Sequence, residues 1–160
     1  MKGFYHCLSV VVILGTICRA SAADEPALKL SEEERVILEW TNREREKKKL
    51  PALQPNPLLF AVARSHSANM ARQKKMSHEL DGKNPAQRVL EAGYDYAEVG
   101  ENLAAGDGPV PEFFTLWLKS PPHRANLLGE LYREIGIGLA RDDKGQIYCT
   151  VVFGTPRQKR

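Results

Sequence analysis

A single change of period constrains this chain more than any other feature. From Ile135 onward the apolar residues recur at every second position: Ile135, Ile137 and Leu139 alternate with Gly136 and Gly138. Asp142 to Gly145 has the chemistry of a turn, and Ile147 to Phe153 is a β-rich run dense enough to be buried on both faces. Upstream the spacing is that of helices. Helices first and a hairpin last make an α+β domain, in which the helices pack on a small antiparallel sheet.

The helical half is punctuated by caps. Ser31 reads as an N-cap, with Glu34 three residues on to complete a capping box, and Val36, Ile37 and Trp40 follow at helical spacing until Leu50-Pro51 stops the run. Asn56-Pro57 and Asn84-Pro85 open two further helices in one manner, with a capping asparagine and proline at the first helical position. The first of these carries Leu59, Ala63, His66 and Met70 on one stripe, and the second ends at Gly93. Gly106 to Pro111 reads as a loop. Glu112 to Lys119 reads as a helix with Phe113, Leu116 and Trp117 facing inward, and Ser120-Pro121-Pro122 caps a last turn carrying His123, Arg124 and Asn126.

The chain has 160 residues, which fits one domain, and its 42% apolar and 27% charged residues are an ordinary globular composition. Residues 1–22 read as a signal peptide. Lys2 supplies a positive start, Leu8 to Ile17 an apolar run too short to span a membrane, and Ala20-Ser21-Ala22 a small-residue cleavage site. Residues 23–34 then form a linker and the start of the first helix, 35–154 the domain, and 155–160 a basic tail. Cys7 and Cys18 leave with the leader, so only Cys149 remains and no internal disulfide forms. An exported domain without disulfides suits a bacterial protein, secreted or periplasmic, better than an animal or plant one. The net charge of +3 gives no basic face, so nucleic acid is not an expected partner; nor is a membrane span expected, and the domain is expected to be a monomer.

Three residues stand out for chemistry. His78 follows a helix end in Met76-Ser77-His78, Glu101 sits between Gly100 and Asn102, and His123 lies on a helix turn stiffened by two prolines. Two histidines and a carboxylate suffice to hold a divalent ion with an open position, and the same trio suits proton transfer. Their spacing matches no metal motif. His66, on an apolar stripe, reads as a half-buried structural residue. Ser77 and its neighbour His78 point to opposite faces, Ser120 reads as a cap, and Cys149 reads as buried and inert.

Taken in order, several segments resemble the CAP superfamily of cysteine-rich secretory proteins, antigen 5 and pathogenesis-related proteins, whose shared unit is the SCP domain. They are Asn42 to Arg45 with Leu50 to Leu53, Ala63 to Met70, Met76 to His78, Gly100 to Ala104, Trp117 to Leu128, Ile135 to Gly138, and Val152 to Gly154. The resemblance implies an α-β-α sandwich of the disulfide-free bacterial type, and a cleft with two histidines and two acids. His78, Glu101 and His123 fall on three of those four positions. The second acid is expected shortly after the tryptophan, where this chain has Lys119 to Pro122; Glu112, upstream on the same helix, is a substitute. Val151 stands where many bacterial relatives have glutamine.

The resemblance therefore implies a secreted binding module. Its His78, Glu101 and His123 cleft would hold zinc or another divalent cation, or a small apolar ligand, and small-molecule, lipid and protein partners all remain open. The alternatives are a metal-assisted, peptidase-like hydrolase with Glu101 as general base, and an extracellular protein–protein interaction domain.

Overall fold

The structure is a computed structural model that describes residues 28–158; the leader, most of the linker and the last two residues of the tail lie outside the described residues. Helix α1 (Glu32–Lys47) starts on the reciprocal cap that its sequence encodes. The Ser31 hydroxyl accepts from the Glu34 N–H at 3.2 Å, and Glu34 Oε2 accepts from the Ser31 N–H at 2.8 Å. The same carboxylate receives Nε and Nη2 of Arg64 at 2.7 Å each, tying α1 to α2 (Pro57–Gln73). Asn56 and Asn84 cap α2 and α3 (Pro85–Glu91) as expected, each before a proline, and Gly93 ends α3 at φ +86°.

Helix α4 (Val110–Lys119) begins two residues earlier than its expected start at Glu112. Its buried stripe is Val110, Phe113, Phe114 and Trp117, spaced i, i+3, i+4 and i+7, and Leu116 lies off that stripe and is 61% exposed. The inward placement expected for Leu116 is therefore corrected to Phe114. Helix α5 (Pro121–Leu127) follows at once.

The sheet has four strands in the order β1 (Gln54–Pro55), β3 (Glu134–Arg141), β4 (Ile147–Pro156), β2 (Tyr96–Gly106). The β3–β4 hairpin turns at Asp142 to Gly145, as its residues demand, and β4 runs two residues beyond the expected domain end at Gly154. Two features depart from the expected architecture. The short β1 pairs with β3 in parallel, so the sheet is mixed. Strand β2 lies between the helices in sequence and pairs with β4 along almost its whole length. Its glycines, alanines and polar residues hide it, because strand propensity reflects fit to a pleated, packed surface more than a backbone preference.

Alternation along the strands divides the core into layers. Ile135, Ile137, Cys149, Val151 and Phe153 pack with Ile37 of α1, Phe114 and Trp117 of α4, and Leu127 of α5. Val152 and Tyr148 face the other way, toward Leu59, Val62, Ala63 and Met70 of α2. The result is the α-β-α sandwich. The glycines of β3 set its thickness: a Cβ on Gly136 would lie 2.0 Å from the Leu59 carbonyl carbon, and one on Gly138 would lie 2.3 Å from the Arg64 nitrogen. Among the described residues no helix is long and apolar enough to cross a membrane.

Candidate functional site

Successive residues of a strand point to opposite faces, and the block Gly100-Glu101-Asn102 in β2 uses both. Glu101 turns toward the α2–α3 layer, where Oε1 accepts a hydrogen bond from Nδ1 of His78 at 2.8 Å and Oε2 accepts from Nη2 of Arg88 at 2.7 Å. Asn102 turns toward α5, where its Nδ2 donates to the backbone carbonyl of His123 at 2.9 Å. The block thus fixes one histidine from each side of the edge strand. Gly100 is required by close approach: a Cβ there would meet Tyr132 Oη at 2.3 Å and Asn126 Oδ1 at 3.0 Å.

The free edge of β2 is closed by side chains. Asn126 Nδ2 donates to the Glu101 carbonyl at 3.1 Å and to Asn102 Oδ1 at 2.9 Å, and Trp117 Nε1 donates to the Leu103 carbonyl at 2.8 Å. This occupies acceptors that would otherwise template pairing with another strand.

The Glu101 side chain is 1% exposed, whereas that of His78 is 55% exposed. A carboxylate buried against a guanidinium is an acceptor, so the Nδ1 of His78 carries the proton and its Nε2 lone pair is directed away from Glu101. Arg88 also donates through Nη1 to the carbonyls of His78 at 2.9 Å and Lys83 at 2.8 Å. One guanidinium therefore holds both the His78 backbone and the carboxylate that holds the His78 ring.

His123 is set differently. Its Nδ1 lies 2.8 Å from Ser120 Oγ, and the Ser120 side chain makes no cap hydrogen bond to α5. The Ser120 hydroxyl thus meets the His123 ring instead of capping α5: Pro121 and Pro122 offer it no N–H, and it does not take that of His123. Burial, and next the neighbouring charge of His78, hold His123 below the ordinary imidazole range.

The structure joins His78 directly to Glu101 and holds the His123 backbone through Asn102, the next residue of the same strand. Among the described residues no group of three or more His, Cys, Asp or Glu side chains is arranged to hold a metal ion. Each Glu101 oxygen accepts one hydrogen bond, Oε1 from His78 and Oε2 from Arg88, so the carboxylate supports the His78 ring in this structure. Glu112 is exposed on the first turn of α4, folded back against Gly108 beside Pro111, Thr115 and Leu116. His66 is corrected from half-buried to 1% exposed, with Nε2 3.0 Å from the Ser77 carbonyl. Cys149 is fully buried, and burial pushes its thiol far above the ordinary range, in keeping with an inert side chain.

Sequence reasoning missed Arg88, Asn102 and Asn126. The asparagines had a signal, since each lies inside a block that carries a histidine or its carboxylate. Arg88 had none, because an arginine within a short helix reads as solvated surface.

An edge strand that holds an imidazole on each side, inside an α-β-α sandwich, defines a small module of known architecture. The cysteine-rich secretory protein (CAP) family model matches residues 38–153, and the chain belongs to that family. The uncharacterized protein YkwD of Bacillus subtilis (strain 168) is 30% identical over 122 residues, which cover 76% of this chain and 47% of that protein; the chain thus spans about half of that relative. An extracellular protein containing an SCP domain from Bacillus anthracis str. Ames is 27% identical with a TM-score of 0.70, over 77% of this chain and 40% of that one. An outer surface protein from Borrelia burgdorferi shares the fold at a TM-score of 0.76 and 22% identity, over 81% of this chain and 97% of that one.

Proposed function

We propose that this chain is an exported binding module whose His78 and His123 rings together take a divalent cation, zinc foremost, through their Nε2 atoms. Water completes the shell, and Glu101 acts from behind His78. The observation that carries this reading is the 2.8 Å bond from His78 Nδ1 to a buried, arginine-paired carboxylate. Such a bond fixes the tautomer and ring orientation that present Nε2 to an ion. The Ser120 hydroxyl can accept a hydrogen bond from Nδ1–H, so its position suits the His123 tautomer that leaves Nε2 free for a metal. Export rests on the leader at 1–22 and agrees with the extracellular and outer-surface relatives.

Two imidazoles make a weaker site than three or four protein ligands. Calorimetric titration with zinc at pH 7.5 is therefore expected to show one site of moderate affinity. His78→Ala and His123→Ala each abolish it. Glu101→Gln weakens it less, by about 10–100-fold. Affinity falls as pH drops through the histidine range near ~6.5, because protons compete for the ring nitrogens. Absence of zinc binding at every pH between 5 and 8 would sink the reading, and a loss in Glu101→Gln exceeding that in His78→Ala would make Glu101 itself a ligand.

A further inference from the structure

Helix α5 presents two stripes. Asn126 and Leu127 face inward, toward β2 and the core. Pro121, Arg124, Ala125 and Leu128, spaced i, i+3, i+4 and i+7, share the outward stripe. With Leu118 and Lys119 from the end of α4 they line an open groove of about 430 Å³.

The frame of this groove is held at both ends. Pro121 and Pro122 fix the backbone where α4 gives way to α5. Asn102 Nδ2 holds the His123 carbonyl at 2.9 Å, and Arg45 Nη1 holds the carbonyls of Leu127 and Gly129 at 3.0 Å each. Leu118 and Leu128 are half-buried and pack against the main core, while Pro121 and Ala125 are exposed. A surface already ordered in this way loses little conformational freedom when a partner lands on it.

Its charge is one-sided. Lys119 and Arg124 are both exposed, no acid lines the groove, and among the described residues neither cation is paired with a carboxylate. In the cavity between α2 and α3, by contrast, Lys83 pairs with Glu91 and Arg88 with Glu101, at 2.7 Å each. A bare anion would use the two cations and leave the Leu118 and Leu128 surface in water. A purely apolar ligand would cover that surface and leave the cations unmatched. A chain segment with an apolar side chain beside carboxylates uses both.

We propose that this groove docks an acidic peptide segment of a partner protein, with a leucine-like side chain against Leu118, Ala125 and Leu128 and flanking carboxylates on Lys119 and Arg124. The groove lies on the face of α5 opposite Asn126, so docking leaves the candidate metal site open. It stands or falls without the metal reading.

The test follows the backbone amides of the ¹⁵N-labelled chain, without metal, by NMR. The probe is the synthetic peptide acetyl-Asp-Glu-Leu-Glu-Asp-amide. The comparisons are the same peptide with serine for leucine, the same peptide with lysine for every acid, sodium phosphate and sodium octanoate. The acidic leucine peptide is expected to shift the amides of Lys119, Arg124, Ala125 and Leu128 saturably, with a millimolar or tighter Kd that weakens as salt is raised. Lys119→Glu and Arg124→Glu change exposed side chains, and combining them is expected to weaken that Kd by about tenfold or more. The proposal is overturned by the absence of a saturable shift with the acidic leucine peptide, by an equal response to the serine or lysine peptide, by a stronger response to phosphate or octanoate, or by a Kd that the two charge reversals leave unchanged.

Discussion

His66 and His123 are both held below the ordinary imidazole range, and in both the main cause is burial. For a histidine lowered in this way, the unfolded chain binds the proton more readily than the folded one. Stability is then full above the unfolded value near ~6.5 and is lost as pH falls below it toward the lowered folded value. Urea midpoints are expected to drop between pH 7.5 and pH 5. His66→Gln keeps a donor for the Ser77 carbonyl but cannot take the proton, so its midpoint should fall less over that interval. Asp81 and Asp143 also sit below their ordinary range, but their loss of stability begins only near pH 4. A His66→Gln slope equal to that of the parent would mean His66 titrates as a solvated ring. At this scale the sequence pointed to His78, Glu101 and His123 through their match to family cleft positions, and the structure bonds His78 to Glu101. The sequence was illegible for Arg88, which lies ten residues from His78 and thirteen from Glu101 and meets them only because α3 folds back over β2.

Between elements, the contact of α2 with β3 is set by glycine. Gly138→Ala drives a methyl into the α2 backbone at Arg64, where no rotamer change relieves it. A cost of about 1–3 kcal/mol is expected, against the small gain that alanine brings to an unhindered strand. Gly145→Ala is the useful contrast, since nothing lies within 4 Å there and only its φ of +84° is strained. A neutral or stabilising Gly138→Ala, measured by urea denaturation, would show that α2 rides further from the sheet. Trp117 joins α4 to β2 through burial and its bond to the Leu103 carbonyl. Trp117→Ala is expected to destabilise by about 3–5 kcal/mol, and a loss under about 1 kcal/mol would place it on the surface. Helix caps and the last hairpin were readable because their signals are local: a side chain within three residues of the N–H it serves, or strict alternation. Strand β2 was not, because its strand character comes from pairing with β4, which lies more than forty residues later.

Across the molecule, one fully buried cation with no carboxylate partner ties α1 to the chain after α5. Arg45 donates through Nε to Pro51 O at 2.9 Å, through Nη1 to Leu127 O and Gly129 O at 3.0 Å each, and through Nη2 to Tyr132 O at 3.3 Å. Arg45→Met fills similar volume but strands buried carbonyls, and a loss of about 3–5 kcal/mol is expected. Arg45→Lys should recover only part of it, since an ammonium cannot reproduce the planar fork. Full stability in Arg45→Met, read from thermal and urea unfolding, would show that water replaces the guanidinium. By itself the sequence determined what depends on near neighbours: where helices start, where the period changes, and which imidazoles and carboxylate are set in stiff or exposed places. Only the tertiary structure decided what each polar group meets. It placed Arg88 and His78 on Glu101 and laid the asparagines along the β2 edge. Those partners lie far apart in the chain, and no local pattern records a contact that exists only once the layers have closed.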